Sequence, residues 1–339
     1  MKVAVIGAGW MGAHISNVLN IKGYDVKIFE SKKKIFLGMS GYNTNRLHMG
    51  YHYPRSLITR KQSINGYNKF IKEYPNLYKK ITNNFIGIAN KKTHVNFKKY
   101  KKIMISSGLQ INQINKLKFK IKNIEGLIKT KEGLILQDKA ANFFYKKIKN
   151  FLILGKSPEL NQSKEKKVIL NNEEYDWIID CSGSNWRKNN IFNISFEPRV
   201  TFVYKSKIKD FALMVLDGNF FTLYPHKKNL YTLGSVKYSR FKKFKNLKSA
   251  TIFSKNISKK EIVKRKELSE KIVLNFFPKF KKNFFYNNCY KSMTTLFNSK
   301  KDSRPTLVNK KKRLITVLGG KIDTIFEAER EVLNIIRNF

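Results

Sequence analysis

The sequence predicts an α/β fold of two domains, in which βα units at both ends of the chain flank an antiparallel sheet. Residues 2–30 read as strand, glycine turn, helix and strand. Residues 196–238 alternate apolar and polar side chains between turn signals, and the last strand, RLITVLG, runs into a Gly-Gly turn and a final helix. With 339 residues, 42% of them hydrophobic, the chain is long enough to bury the cores of such domains.

The first βαβ unit carries a dinucleotide-binding pattern. Strand KVAVIG precedes GAGWMG, in which Gly7, Gly9 and Gly12 fill GxGxxG, and a helix follows over about residues 11–22. The first glycine permits the tight turn, the second lets the backbone approach a pyrophosphate, and the third allows close helix packing. Phosphates then bind at the helix N-terminus. Glu30 ends the next strand, DVKIFE, where an acid accepts hydrogen bonds from a ribose diol.

The rest of the chain alternates between helical and extended patterns. Strands are predicted at FIGIA and YDWII, and helices at about 57–82, 96–107, 139–149, 256–277 and 324–337. The interleaving predicts one domain from residues 1–80, 135–190 and 300–339, and a second from residues 81–134 and 191–299.

Composition restricts the partners. The formal charge of +46 is compatible with nucleic acid, but lysines occur in pairs and triplets along the whole chain, so a solvated basic surface is the favoured interpretation and nucleic acid stays open but less favoured. No charge-free apolar run reaches about 18 residues, so we expect no transmembrane segment and a cytoplasmic location. Cys181 and Cys289 lack CxxC spacing, and neither a disulfide framework nor a metal site is expected.

Four segments carry a resemblance to a known family. They are VAVIGAGWMG with Glu30, MSGYNTNRLHMG, YDWIIDCSG, and DSRPTLV followed by TVLGGKIDT. On these segments the sequence resembles, over essentially its whole length, the flavin-dependent amine and D-amino-acid oxidase-like oxidoreductases. The resemblance implies a Rossmann-like FAD-binding domain interleaved with an α+β substrate domain that contains the antiparallel sheet.

The resemblance implies FAD as cofactor and a set of residues around it. In the family a Ser-x-x-Asn turn lies next to the pyrophosphate and flavin, and Ser40 and Asn43 match it, although Asn45 and Arg46 stand where a glycine is expected. Cys181 and Ser182 match the end of a strand that lies near the adenosine in the family. Gly319, Gly320, Lys321 and Ile322 match a loop that lies against the flavin ring. The implied cofactor residues are Gly7, Ala8, Gly9, Trp10, Met11, Gly12, Glu30, Ser31, Ser40, Asn43, Asn45, Arg46, Cys181, Ser182, Gly183, Gly319, Gly320, Lys321 and Ile322.

Charge gives two of these residues a physical role. A reduced flavin is negative around N1 and the C2 carbonyl, so a helix N-terminus and Lys321 are suited to stabilise it. Arg46 has a forked set of donors with which to neutralise the pyrophosphate.

The histidine-rich stretch NRLHMGYHYPRS follows the Ser-x-x-Asn turn, which places it at the predicted site. Arg55 is a candidate for binding an anionic substrate. For His48 and His52 two roles stay open, a packed wall and substrate contact, and covalent flavin attachment through His48 is a third interpretation. The two tyrosines of the stretch are expected to pack.

The sheet and the C-terminal segment offer further substrate contacts. Tyr224 and His226 end DGNFFTLYPH, and Arg304 in RPTLV is expected near the flavin edge, while Arg199 is equally well interpreted as a surface residue. Ser182 has no evident His and Asp partners, which argues against hydrolase chemistry.

We therefore predict an FAD-dependent oxidoreductase, an oxidase or dehydrogenase, that passes a hydride equivalent from a C–N or C–OH bond of a small substrate to flavin N5. In such chemistry the protein mainly orients the donor carbon, and no catalytic dyad is required. A flavoenzyme that modifies tRNA or another polyanion is one alternative. The others are an NAD-dependent dehydrogenase, for which Glu30 favours NAD over NADP, and a binding protein for membrane surfaces or nucleic acid. The oligomeric state is not predicted.

Overall fold

The computed structural model describes residues 1–115, 117, 119–163, 165–186, 191–298 and 303–338. The predicted domain boundaries at 190 and 300, and Asp302 of the DSRPTLV segment, lie outside these residues. Within the described ranges the chain forms helices α1 (Trp10–Ile21), α2 (Leu57–Glu73), α3 (Phe97–Ile105), α4 (Gln137–Ile148), α5 (Leu247–Lys255), α6 (Lys259–Phe276), α7 (Phe280–Asn283) and α8 (Ile325–Arg337).

The strands divide between the two ends and the middle of the chain. Those of the first half are β1 (Lys2–Ile6), β2 (Asp25–Glu30), β3 (Arg46–Leu47), β4 (Tyr78–Lys80), β5 (Asn83–Ala89), β6 (Asn112–Gln113), β7 (Ile124–Lys129), β8 (Gly133–Ile135), β9 (Leu152–Leu154) and β10 (Leu160–Ser163). Those of the second half are β11 (Val168–Leu170), β12 (Glu173–Tyr175), β13 (Trp177–Asp180), β14 (Ile194–Ser206), β15 (Phe211–Leu216), β16 (Phe221–Pro225), β17 (Leu230–Ser235), β18 (Phe284–Phe297), β19 (Leu307–Lys311) and β20 (Leu314–Leu318).

The first large sheet has six strands in the order β19-β20-β13-β1-β2-β9. Its strands run parallel except β19, which is antiparallel to β20. Side chains of β1 alternate between two cores. Val3 and Val5 pack with α1, α4 and α8, whereas Ala4 and Ile6 pack with the small antiparallel sheet β10-β11-β12. The sheet is therefore buried on both faces, which explains its nearly continuous apolar strands.

The second large sheet has eight strands in the order β18-β14-β17-β16-β15-β5-β7-β6. Its pairs are antiparallel apart from β5 and β15, which run parallel and join the early segment of the chain to the later one. Helix α6 packs on one face and helix α3 on the other. A third, three-stranded sheet, β3-β8-β4, lies beside the histidine-rich stretch.

Two parts of the structure differ from the sequence prediction. The helix predicted to run to about residue 82 ends at Glu73, because Pro75 lacks the N–H that a continuing helix requires, and β4 follows. Strand β18 was not predicted, yet it pairs with β14 from Ile194 opposite Phe297 to Ser206 opposite Phe284. None of the helices in the described ranges is both long and apolar enough to cross a membrane.

Candidate cofactor and active site

The main cavity of the protein lies between the two large sheets and has a volume of about 460 Å³. On one side it is lined by residues that follow the carboxyl ends of β1, β2, β13 and β20, where open α/β sheets bind their ligands. On the other side it is lined by β14 and β18, through residues such as Arg199, Thr201 and Thr294. Its size falls within the range of small-molecule and cofactor sites.

The glycine loop brings the N-terminus of α1 to this cavity. No side chain of the N-cap residue, Gly9, is available to cap the helix, and the first turn contains no acid, so its positive end is left for an anion. The hydroxyl of Ser40 accepts a hydrogen bond from the Trp10 N–H at 3.0 Å. A Cβ on Gly12 would lie 1.8 Å from the Gly7 carbonyl oxygen, so the close packing expected of the third glycine is present.

Glu30 joins this loop to the end of β2. Its Oε2 accepts the Ala8 N–H at 2.8 Å and its Oε1 accepts the Lys32 N–H at 2.9 Å. The carboxylate also lines the main cavity, together with Ser31. Since each carboxylate oxygen accepts more than one hydrogen bond, Glu30 can fix the loop and still receive a ribose hydroxyl.

The turn that follows the glycine loop is fixed by Asn43. Its amide donates to the carbonyls of Met39 and Ser40, at 3.1 and 2.8 Å, and its Oδ1 accepts the Asn45 N–H at 2.6 Å. Asn45 itself is fully buried, lines no part of the cavity, and places its amide 3.2 Å from His226 Nδ1. The expected contact of the Asn45 side chain with the cofactor is therefore corrected, because this side chain contacts His226 instead.

Arg46 is buried against a carboxylate that the sequence analysis missed. Its guanidinium forms an ion pair with the fully buried Glu132 and lies 5.4 Å from the centre of the Tyr224 ring. Glu132 also accepts the Met49 N–H at 2.7 Å, which fixes the backbone next to His48. Arg46 also lines the main cavity. Its charge is balanced by Glu132, and its role in neutralising the pyrophosphate stays a prediction. Glu132 directly precedes Gly133 of β8, in a segment whose sequence gave no signal of chemistry.

Lys321 and His48 meet at the far end of the main cavity. Lys321 Nζ lies 3.4 Å from His48 Nε2 and 4.7 Å from the centre of the Tyr53 ring. Burial, followed by the charge of Arg304, lowers the pKa of Lys321 to about 7. Burial, followed by the charge of Lys321, holds the pKa of His48 well below its ordinary value, so this imidazole is neutral at pH 7.

Two arginines make this end of the cavity positive. Arg304, expected there from the sequence, lines the cavity. Arg199 lines it from β14 and donates from Nε to Glu197 Oε1 at 2.7 Å. Burial lowers the pKa of Arg199 to about 9, and Arg304 is the next largest cause. The sequence analysis left Arg199 open between a substrate contact and a surface residue, because alternation on a strand does not say which face meets a cavity.

Four predicted substrate contacts lie away from the main cavity. His52 and Arg55 line a second cavity of about 230 Å³. Arg55 is paired there with Asp217. Tyr224 lines neither cavity, because its ring is buried under Arg46 and its hydroxyl donates to the Gly133 carbonyl at 3.0 Å. His226 is also outside both, and burial lowers its pKa to about 4. The predicted substrate contacts of Tyr224 and His226 are corrected for this reason.

The remaining predicted residues take two positions. Ala8 and Gly12 are buried in the glycine loop and do not line the cavity. Burial raises the pKa of the Cys181 thiol well above its ordinary value, so this cysteine is a neutral packing group and no nucleophile. The cavity is lined by Gly7, Gly9, Trp10, Met11, Cys181, Ser182, Gly183, Gly319, Gly320 and Ile322. Among the described residues no group of three or more His, Cys, Asp or Glu side chains is arranged to hold a metal ion.

Comparison with known proteins bears on this site. Over 98% of its length the chain is 29% identical to a protein named FAD-dependent monooxygenase FPY4 from Fusarium mangiferae, of which it covers 90%. It is 24% identical over its whole length to FAD-dependent monooxygenase kojA from Aspergillus flavus, covering 86% of that protein. Residues 2–54 match the family described as 3-hydroxyacyl-CoA dehydrogenase, NAD binding domain. That match covers the first βαβ unit and the following turn, which dinucleotide-binding folds share.

Solved structures decide the fold. Glycine oxidase from Geobacillus kaustophilus superposes with a TM-score of 0.77 at 10% identity, over 99% of this chain and 95% of its own. L-alpha-glycerophosphate oxidase from Mycoplasma pneumoniae, solved with FAD bound, superposes with a TM-score of 0.75 at 15% identity, over 99% and 94%. The chain has the fold of the D-amino-acid oxidase-like FAD oxidoreductases. The predicted fold class and the predicted resemblance are confirmed.

The main cavity of this D-amino-acid oxidase-like fold fits FAD. The uncapped N-terminus of α1 suits a pyrophosphate, Glu30 suits a ribose diol, and Lys321 with the loop before α8 suits a ring that becomes negative on reduction. Gly9 leaves the space that a pyrophosphate needs, since a Cβ there would already lie 2.7 Å from Ser40 Oγ. The assignment of individual residues to the cofactor stays a prediction.

Proposed function

We propose that this protein is an FAD-dependent oxidoreductase that oxidises a C–N or C–OH bond of a small anionic substrate. One observation carries the proposal: a single cavity joins the glycine loop and Glu30 to the cationic group of Lys321, Arg304 and Arg199. The relatives named as FAD-dependent enzymes, and the fold shared with FAD-containing oxidases, support the cofactor and the enzyme class.

Each chemical role falls to a residue that lines the cavity. When bound in the main cavity, FAD would supply the acceptor for the hydride equivalent of the substrate. Arg199 and Arg304 bind the anionic group of the substrate and orient that carbon. Lys321, with a pKa of about 7, is a neutral amine in about half of the molecules at neutral pH, so its Nζ can take the proton of the substrate N–H or O–H group. Neutral His48 holds Lys321 in place through Nε2.

Anaerobic reduction tests the reaction type. We expect the flavin absorbance to bleach with members of a panel of amino acids, N-substituted amino acids and hydroxy acids, and not with their uncharged amides. Lys321→Met is expected to slow bleaching by about a hundredfold, within the range for a lost general base, while retaining flavin. Lys248→Met, at an exposed lysine, is the control. A panel in which the amides bleach as well as the acids contradicts the anionic substrate.

Oxygen insertion is a second candidate, which the names of the FPY4 and kojA proteins favour. Turnover under ¹⁸O₂ separates it from dehydrogenation. Label in the organic product supports a monooxygenase, whereas label only in hydrogen peroxide supports an oxidase.

Binding of tRNA or another polyanion and a cytoplasmic location stay predictions from composition. If the protein binds a polyanion, its affinity for that polyanion should fall steeply as the salt concentration rises.

A further inference from the structure

Exposed aliphatic side chains meet where α2 begins and α3 ends. Leu57 and Ile58, at the start of α2, are 52% and 53% exposed, and Ile105, the last residue of α3, is 61% exposed. The helices are joined here by Arg60, whose Nε donates to Ser107 Oγ at 2.8 Å. Arg60 lies in the first turns of α2 and Ser107 just beyond α3, so the aliphatic side chains belong to one region of the surface. Aliphatic groups that cluster at a surface, rather than standing singly, indicate a contact with a partner.

Lysines extend this region along both helices. Lys98, Lys102 and Ile105 follow the i, i+4, i+7 spacing of α3, so they form one stripe on its solvent side. In α2, Lys61 lies one turn after Ile58 and is also exposed. We name this surface the basic-aliphatic patch, and its residues are Leu57, Ile58, Lys61, Lys98, Lys102 and Ile105.

The charges that the two helices contribute to the patch are all positive. Helix α3 contains no acidic residue, and the acidic residue of α2 is Glu73, at the opposite end of that helix. Glu125 lies at the start of α3, where its Oε2 accepts the Phe97 N–H at 2.9 Å. The lysines of the patch are therefore presented to solvent without an acidic neighbour on the same helix face.

Lysines mixed with exposed aliphatic side chains fit a lipid surface better than they fit nucleic acid. Single-stranded nucleic acid stacks its bases on aromatic and arginine side chains, which the patch lacks. Anionic lipid attracts lysines to its head groups and takes aliphatic side chains into the boundary of its acyl chains. Lysine side chains are long enough to stay at the head groups while neighbouring aliphatic groups insert. An anionic lipid surface thus contacts both kinds of side chain favourably.

We propose that the basic-aliphatic patch docks the protein on an anionic lipid surface, with its lysines at the head groups and its aliphatic side chains at the boundary of the acyl chains. The contact is peripheral, since it is made by the sides of two helices. It lies close to the main cavity, because Thr59 Oγ1 in the first turn of α2 accepts the N–H of Arg304, a cavity residue, at 3.1 Å. The inference is independent of the proposed function, since it needs neither the cofactor nor the substrate.

Vesicle flotation of the purified full chain tests the docking. We expect the protein to float with vesicles that contain phosphatidylcholine and phosphatidylserine and not with vesicles of phosphatidylcholine alone. A chain that stays unbound with both kinds of vesicle overturns the proposal. Turnover is not needed, so this result leaves the proposed function intact.

A pair of lysine variants locates the electrostatic contact. The double variant Lys98→Gln/Lys102→Gln is expected to bind the anionic vesicles about thirtyfold more weakly, since each lysine near an anionic lipid surface contributes about fivefold. Lys260→Gln/Lys264→Gln removes two exposed lysines of the same spacing from α6 and is the matched control. It should have a much smaller effect, because charges far from the contact are screened. Equal weakening by both pairs overturns the patch, because the cause is then the overall charge of the chain.

A pair of aliphatic variants separates a lipid surface from a polyanion. Ile58→Ser/Ile105→Ser is expected to weaken vesicle binding about tenfold through lost apolar burial, and to leave the affinity for a single-stranded RNA oligonucleotide unchanged. Ile252→Ser/Val263→Ser is the matched control, since these side chains of α5 and α6 are about half exposed. Equal vesicle binding by the two isoleucine-containing pairs would show that the patch does not insert, and it overturns the lipid surface.

RNA binding is the competing outcome. If the pair Lys98→Gln/Lys102→Gln weakens RNA binding more than vesicle binding, nucleic acid is the partner of this surface and the proposal is wrong. The melting temperature of each variant shows that the exposed substitutions leave the fold intact.

Discussion

The two ends of the main cavity are built in different ways. The glycine-loop end is built around residues 7–12 and Glu30, which one βαβ unit places together, with the turn of Ser40 and Asn43 and the end of β13 beside them. The far end, which we name the flavin end because the proposed function requires the flavin ring there, is assembled from Arg199 of β14, His48 after β3, Arg304, and Lys321 before α8. Local sequence therefore determines the cofactor type, whereas long-range folding determines what lies opposite the reacting ring.

The electrostatics of the two ends differ as well. At the glycine loop a helix N-terminus and one half-exposed carboxylate act with ordinary hydrogen bonds. At the flavin end buried cations compete for few carboxylates, and the pKa values of Lys321 and Arg199 are lowered by burial and by neighbouring positive charge. The flavin end is thus the part of the cavity that is tuned for an anion, and its stability depends on ion pairs that remain complete.

The largest effect is expected from Glu132→Gln, which breaks the ion pair beneath the flavin end. The substitution leaves Arg46 buried without a compensating charge, at a cost of about 3–5 kcal/mol in the free energy of unfolding. Urea denaturation measures this cost. The double variant Arg46→Met/Glu132→Leu removes both charges and should be less destabilised than the single variant. A single variant as stable as the parent would show that the pair does not hold this region.

Gly12→Ala disturbs the other end of the cavity. The new methyl group would lie 1.8 Å from the Gly7 carbonyl oxygen, so the loop and helix must separate, at a cost of about 2–3 kcal/mol and with loss of bound FAD. Flavin content after gel filtration and the melting temperature are the measurements. Gly234→Ala, where a Cβ meets no atom within 4 Å, is the matched control and should retain flavin. Full flavin content in Gly12→Ala would remove the loop from the cofactor site.

The pH dependence of anion binding probes the flavin end alone. Lys321 has a pKa of about 7 in the folded protein against an ordinary value of 10.5, so it carries its charge below pH 7 and loses it as the pH rises. We expect the affinity for pentanoate to fall about tenfold between pH 6 and 9, the value of one charge-assisted hydrogen bond. Titrations monitored by flavin absorbance measure this slope. Lys321→Met should bind pentanoate with little pH dependence, and an unchanged slope in that variant would assign the titration to another group.

The smallest effect is expected from Ser40→Ala. It removes the acceptor for the Trp10 N–H at the start of α1, which is worth about 1 kcal/mol for a helix cap. Thermal unfolding of the apoprotein and of the FAD-loaded protein measures it. Ser106→Ala, whose exposed hydroxyl bonds only within its own helix end, is the control. If Ser40→Ala lowers the free energy of unfolding only as much as Ser106→Ala does, Ser40 does not order the loop.

The same comparison explains how much the sequence could predict. The glycine loop, Glu30 and the helices α1 and α8 follow from local rules on turns, helix starts and apolar periodicity, and the structure places them as those rules require. Lys321 and Arg304 were assigned to the flavin end through the resemblance, and both line the cavity there.

Residues that act across the fold could not be predicted in this way. Glu132 pairs with Arg46 across 86 positions, and Arg199 meets the cavity only because β18, which was not predicted, pairs with β14. The second cavity, of about 230 Å³, joins residues 52–56 to residues 215–222, which meet in the ion pair of Arg55 with Asp217. Such contacts depend on strand register and not on local preference, so a single sequence does not reveal them.

The identity of the bound cofactor tests the central claim most directly. The measurement is a visible absorption spectrum of the purified protein, followed by acid precipitation and mass analysis of the supernatant. The account predicts the absorption bands of a protein-bound oxidised flavin, and FAD released into the supernatant. Colour retained in the pellet would instead assign covalent attachment, for which His48 is the candidate. A colourless protein that also fails to take up added FAD would contradict the account.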